Sequence, residues 1–140
     1  MALPFAGYLL TENEKQQLLE EILTKTDKSG HCLLWSKSVN GRGYPQFRLS
    51  KQFRRFGNKV MNPAAVLFAV IYNTYLPNDK NMGLSHLCHN KRCMDCWRHI
   101  VYENKSINNQ RNTCKRLGNC CNHPNEIRCI LLTALRLVKN

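Results

Sequence analysis

Seven of the eight cysteines in this 140-residue sequence fall between Cys88 and Cys129, interleaved with His89, His99 and His123 and preceded by His86. Disulfide frameworks have no use for imidazole, whereas zinc takes thiolate and imidazole together, four at a time, in closed structural sites. Cys88-x4-Cys93-x5-His99 offers three soft ligands. Cys114-x6-Cys121-x-His123-x5-Cys129 offers four, a complete Cys3His set from local sequence. Cys32, the one cysteine outside the crowded stretch, can complete the first set; a Cys93-x2-Cys96 knuckle competes with it, and Cys120 competes with Cys121. The stretch is loop-rich and poor in large apolar residues, so burial alone cannot hold it. A structural zinc contributes an apparent ~10–16 kcal/mol of binding free energy in finger peptides, which acts as folding free energy. Two structural Zn²⁺ are therefore expected, and with every position filled by protein neither has an opening for water.

Charge points to the partner. Lys and Arg total 21 against nine acidic residues, a formal net charge of +12. No acid occurs from Lys28 to Asn78, while Lys28, Lys37, Arg42, Arg48, Lys51, Arg54, Arg55 and Lys59 all do. An ordinary soluble surface mixes signs, and a one-sided cationic stretch favours a polyanion through release of condensed counterions. The stretch contains no amphipathic basic helix of the membrane-binding kind. No run approaches the ~20 apolar residues of a membrane span. The N-terminus lacks a basic region, and Pro4 and Gly7 break its apolar run, so it is a poor signal peptide. Double-stranded DNA inside the cell, in the nucleus, is the expected partner, and a membrane is not.

Length suits one domain, residues 1–140, since domains run to roughly 100–200 residues. Residues 1–30 carry an N-terminal helix at 12–25: Thr11 and Glu14 form a capping box, and Leu18, Leu19, Ile22 and Leu23 recur at helical spacing. Residues 31–84 carry a basic antiparallel β-ribbon and a core helix. In the ribbon Cys32–Trp35 is one strand, Asn40-Gly41 a hairpin turn and Tyr44–Leu49 the return, with a third strand expected around Lys51–Arg55. Period two puts Tyr44, Gln46 and Arg48 on one face. A ribbon of this width can enter the major groove, where Arg and Gln read base edges, so Gln46, Arg48, Lys51, Arg54 and Arg55 are the candidate DNA contacts. Asn62-Pro63 opens the apolar core helix at 64–72. The Cys/His-rich stretch occupies 85–129, with a short helix at 103–112, and a last helix at 125–138 makes residues 130–140 a C-terminal helical segment.

The run Ser85-His86-Leu87-Cys88-His89-Asn90-Lys91-Arg92-Cys93 resembles the opening of the His-Cys box of homing endonucleases, metal-dependent DNases of the ββα-metal (His-Me finger) class. The likeness continues through His99, Tyr102-Glu103, Asn108, Arg111-Asn112, Cys114, Cys121-x-His123 and Cys129. It implies an α+β fold: a zinc-stapled ββα-metal nuclease with an N-terminal helix and a basic antiparallel β-ribbon. It implies Cys32, Cys88, Cys93 and His99 as one zinc site and Cys114, Cys121, His123 and Cys129 as the other. His86 then matches the general base, Asn108 the oxygen ligand of one catalytic Mg²⁺ (or Mn²⁺), and Arg54 or Arg55 the arginine on the scissile phosphate. The sequence departs from the family in the longer Met94-Asp95-Cys96-Trp97-Arg98 segment and in a longer His123–Cys129 spacing. Homodimers of the family exchange a long C-terminal tail; this sequence ends at Asn140, soon after Cys129, which leaves the homodimer open.

The chemistry stands on its own terms. Cutting a phosphodiester needs a deprotonated water in line with the leaving oxygen and a cation for the developing charge. Histidine, with an ordinary pKa near ~6.5, can accept that proton at neutral pH. A hard cation binding through phosphate oxygens needs few protein ligands, and an amide oxygen suffices. The expected activity is metal-dependent DNA endonuclease; the alternatives are a non-catalytic zinc-stabilised nucleic-acid-binding module descended from one, and a secreted disulfide protein.

Overall fold

Thr11 starts the first helix as its sequence requires. The Glu14 amide donates to Thr11 Oγ1 at 3.2 Å and the Thr11 amide to Glu14 Oε1 at 3.0 Å, a reciprocal capping box. In a computed structural model of the chain, residues 4–77, 79–118 and 129 are described. β1 (Phe5–Ala6) leads into α1 (Glu12–Leu23), which ends slightly before the expected boundary, with Thr24 as its C-cap. β2 (Thr26–Ser29) and β3 (Cys32–Trp35) form an antiparallel pair, and Gly30 turns the chain between them at φ 59°. β4 (Phe47–Arg48) pairs with β5 (Val60–Met61). α2 (Pro63–Ile71) follows, capped by Asn62 Oδ1 on the Ala64 amide at 3.0 Å, and β6 (Tyr75–Leu76) returns to pair with β1. β7 (Met82–His86), β8 (Ile100–Asn104) and α3 (Lys105–Leu117) complete the described elements.

α2 is the centre of the core. Ala64, Ala65, Val66, Leu67 and Ala69 are fully buried, and Leu18 and Ile22 of α1 are buried in the same apolar cluster. Trp35 meets Phe47 edge-on, with ring centroids 6.0 Å apart. Gly7 is required where the chain passes under α2, because a Cβ there would collide with the Ala69 carbonyl.

The α+β class and the N-terminal and core helices agree with the sequence reading; the ribbon is rearranged. β3 pairs with β2, not with the return segment. The Asn40-Gly41 turn does form: Val39 bridges Pro45, the Asn40 amide donates to the Tyr44 carbonyl at 2.8 Å, and Asn40 Oδ1 accepts from the Arg42 and Tyr44 amides. In the return only Phe47–Arg48 is strand, paired with β5. The third strand expected at Lys51–Arg55 is instead a 3₁₀ helix, Lys51–Phe56. A strand would have sent Phe53 and Phe56 to opposite faces, whereas a three-residue period buries both on one face. The helix expected at 103–112 starts at Lys105, because Asn104 is its N-cap and Glu103 belongs to β8. The helix expected at 125–138 lies outside the described residues.

Candidate metal centre and catalytic cleft

β3 and the loop after β7 bring the first thiol set together. Leu34 bridges Cys93, the Met94 amide donates to the Leu33 carbonyl at 2.6 Å, and the Arg92 guanidinium donates twice to the Trp35 carbonyl. Cys32, Cys88, Cys93 and His99 are all buried, and their four ligand atoms lie within 4.8 Å of one another. His99 Nδ1 is 3.4 Å from Cys93 Sγ and 3.7 Å from Cys32 Sγ. Tetrahedral zinc with ~2.3 Å bonds to sulfur sets ligand atoms about 3.8 Å apart, so the group fits the ion. The thiol hydrogen bond from Cys88 pulls Cys93 down to about 5, while burial, then the Cys93 charge, pushes Cys32 up to about 11. Cys96 is no rival. Its sulfur faces the Ala64 carbonyl at 3.5 Å inside the apolar core, and burial raises its pKa.

β7 and β8 pair in register from Met82↔Asn104 to His86↔Ile100, and α3 continues from β8 to make a ββα unit. His86 closes β7. Its Nε2 lies 3.2 Å from the Cys93 carbonyl, which can only accept, so Nε2 carries the proton and Nδ1 keeps the lone pair. Burial first, then the neighbouring His89 and His99, lowers its pKa to about 4 despite the Cys93 bond, leaving the ring neutral at pH 7. The Cys93 carbonyl thereby sets the tautomer of His86, and burial sets its charge.

Asn108 sits in the second turn of α3. A buried ion pair fastens that helix to β8: Arg111 Nε and Nη2 donate to Glu103 Oε2 and Oε1 at 2.6 and 2.8 Å. Arg111 lies three residues after Asn108, on the same helical face. The sequence reading assigned Glu103 and Arg111 no role; their signal was a carboxylate and a guanidinium at the end of a strand and on the helix that follows it. Arg111 Nη1 also reaches Cys129 Sγ at 3.4 Å, which brings Cys129 back to the helix bearing buried Cys114. Cys121 and His123, the other expected members of that set, lie outside the described residues.

A cleft of about 660 Å³ is lined from the hairpin by Arg42, Tyr44 and Gln46, and from the ββα unit by His86, Lys105 and Asn108. His86 and Asn108 therefore share a cavity. Arg48 and Lys51 are exposed. Neither Arg54 nor Arg55 lines the cleft. Arg54 Nε donates to the Leu49 carbonyl at 3.0 Å, and Arg55 pairs with Glu14 of α1 at 3.0 Å while stacking on Phe56. The arginine that lines the cleft is Arg42, which sequence reasoning counted only as part of the basic run. Its position at the tip of the Asn40-Gly41 turn was the available clue. Lys91 ties that turn to the loop that carries Cys88 and Cys93: its Nζ donates to the Arg42 carbonyl at 3.1 Å and lies 4.7 Å from the centre of the Tyr44 ring.

Among the described residues no helix is long and apolar enough to cross a membrane. No curated protein and no solved structure matches the chain. One family does, described as the zinc-binding loop region of homing endonuclease, over residues 31–131 of the 140. The match spans well over half the chain and takes in β3, the thiol cluster and the whole ββα unit, so the chain belongs to this homing-endonuclease zinc-binding-loop family.

Proposed function

We propose that the protein is a divalent-metal-dependent DNA endonuclease acting in the nucleus, with its reacting groups in the cleft between the Asn40–Tyr44 turn and the ββα unit. The observation that carries this reading is that His86 and Asn108 line one cavity, with His86 Nε2 held on the Cys93 carbonyl. Nδ1 takes the proton from the attacking water, while the Nε2 bond to the Cys93 carbonyl keeps the ring from turning. The Asn108 side-chain oxygen is a hard donor suited to Mg²⁺ or Mn²⁺. Such an ion supplies charge stabilisation on the phosphate and the leaving oxygen. Arg42 and Lys105, which line the same cleft, hold the phosphate in place of Arg54 and Arg55. Gln46 reaches the base edges from the cleft, and Arg48 and Lys51 contact the backbone outside it.

Two zincs act as staples, the first at Cys32, Cys88, Cys93 and His99, the second at Cys114, Cys121, His123 and Cys129. The first has geometric support in the four converging ligand atoms. The second is supported by the return of Cys129 to α3.

The test is cleavage of mixed duplex DNA by purified zinc-loaded protein with Mg²⁺ or Mn²⁺. Wild type cuts, whereas His86→Ala loses 10²–10⁴-fold in rate, the ordinary contribution of a general base; Asn108→Ala loses cutting and keeps DNA affinity. DNA binding without cutting under either ion would leave a binding module in place of a nuclease.

A further inference from the structure

The cleft does not end at His86 and Asn108. A recess of about 70 Å³ adjoins it, sharing those two residues, Tyr44 and Leu84, and extends to His89, Lys91, Asn112 and Lys115. Its chemistry differs from that of the main cleft. Asp79 lines the cleft, but no acid lines the recess among the described residues. Arg111 also borders it, with its charge balanced by Glu103, so the uncompensated cations are Lys91 and Lys115.

His89 is placed there at a cost. It is one of two non-glycine residues with positive φ among the described residues, at 62°, in the tight turn where its amide donates to the His86 carbonyl at 2.9 Å. Left-handed backbone in a residue with a Cβ is unfavourable and persists where surrounding structure enforces it, often at binding sites. Here it takes the ring to a place where Nε2 is buried with no hydrogen-bond partner. A buried polar nitrogen without a partner costs about 1–3 kcal/mol, a cost that a bound acceptor would remove. The recess thus holds a ring nitrogen seeking a partner, an amide side chain and two ammonium groups, a set that matches a tetrahedral oxyanion.

We infer that this recess is a second phosphate subsite, which takes the DNA backbone phosphate next to the one being cut, with His89 and Asn112 as hydrogen-bond partners and Lys91 and Lys115 as the charge. The inference rests on the nuclease reading only for which phosphate is meant; the subsite itself is a binding property. Holding two consecutive phosphates fixes the strand along its axis as well as across the cleft, which an in-line displacement needs and one contact cannot supply.

The experiment uses full-length zinc-loaded protein and duplexes that carry a single neutral methylphosphonate, moved one position at a time along the bound strand. Two variants accompany wild type: His89→Gly, which keeps the left-handed backbone available, and Lys115→Ala, at an exposed position on α3. Binding is read by titration at several salt concentrations, and cleavage is read separately with Mg²⁺. Wild-type affinity is expected to drop about tenfold at one phosphate beside the most sensitive one, and both variants to lose affinity and become indifferent to neutralisation there. Lys115→Ala is expected to flatten the plot of log affinity against log salt by ~0.9, as one released counterion requires, whereas His89→Gly leaves the slope unchanged. Variants as sensitive as wild type at every phosphate would overturn the subsite, as would an unchanged slope in Lys115→Ala. Loss of cutting with this footprint intact would count against the nuclease reading alone; cutting without the footprint would count against the subsite alone.

Discussion

Whether a buried thiol ligates or packs is decided by what surrounds its sulfur. Cys32 and Cys96 are both buried, yet Cys32 Sγ faces His99 Nδ1 and Cys96 Sγ faces a backbone carbonyl in the apolar core. Cys32→Ala is therefore expected to lower zinc content by one equivalent per chain. Cys96→Ala should keep the full content and lose about 1–3 kcal/mol of stability, the usual range for a core truncation. Metal analysis and urea unfolding on the two purified variants check this, and full zinc content in Cys32→Ala would contradict the ligand set. The spacing of cysteines revealed the ligand candidates but could not choose between Cys32 and Cys96. That choice depends on β3 docking against the zinc loop, a contact between residues far apart in the chain. His86 makes a second prediction at this scale. Only the neutral ring accepts a proton, and burial lowers its pKa from 6.5 to about 4. Cleavage under kcat/KM conditions should therefore stay level as pH falls through 6.5 and decline only towards 4, and an acid limb centred on 6.5 would contradict it. The stability linkage has the same sign. Between the two values the unfolded chain binds more protons than the folded one, so this contribution is full above 6.5 and is lost as pH falls through about 4.

Helix α3 carries Asn108 and is fastened to β8 by a buried ion pair, Arg111 with Glu103. Removing one partner of such a pair strands the other charge and costs about 3–5 kcal/mol, whereas replacing both with apolar groups is often neutral. Glu103→Ala and Arg111→Ala should each lower the melting temperature sharply. The double variant Glu103→Leu/Arg111→Met should lose much less than the two single losses combined. Additive losses in thermal melts would show that the pair does not act as a unit. At this scale the sequence was readable where one signal dominated. Thr11 with Glu14 marked the start of α1, and Asn62-Pro63 marked the start of α2. It misled at Lys51–Arg55, where a continuing basic pattern suggested strand. The phenylalanines at 53 and 56 are three apart, and their joint burial selected a 3₁₀ turn that binds Arg54 and Arg55 into the scaffold. The cleft arginine then comes from a turn, whose residues carry no periodic signal to reveal the direction they face.

At the scale of the molecule, the zinc loop, the hairpin and the ββα unit are one assembly. Arg92 holds Trp35, Lys91 holds the Arg42 turn, and the Cys93 carbonyl orients His86. Loss of zinc should loosen the cleft as well as the fold. Chelation is expected to make the cysteines reactive to a thiol reagent and to lower the melting temperature, with cleavage lost in parallel. A thiol count that chelator does not change would contradict zinc. The net charge of +12 adds a salt dependence, and affinity for DNA should fall steeply between low and moderate salt. Beneath all of this lies one structural claim, that the cavity shared by His86 and Asn108 holds a hard cation on an amide oxygen beside a neutral imidazole. Manganese binding to the zinc-loaded protein–DNA complex, followed by electron paramagnetic resonance, tests it most directly. One tightly held Mn²⁺ per cleft is predicted for wild type and for His86→Ala, and none for Asn108→Ala; Mn²⁺ held equally well after Asn108→Ala would contradict the account.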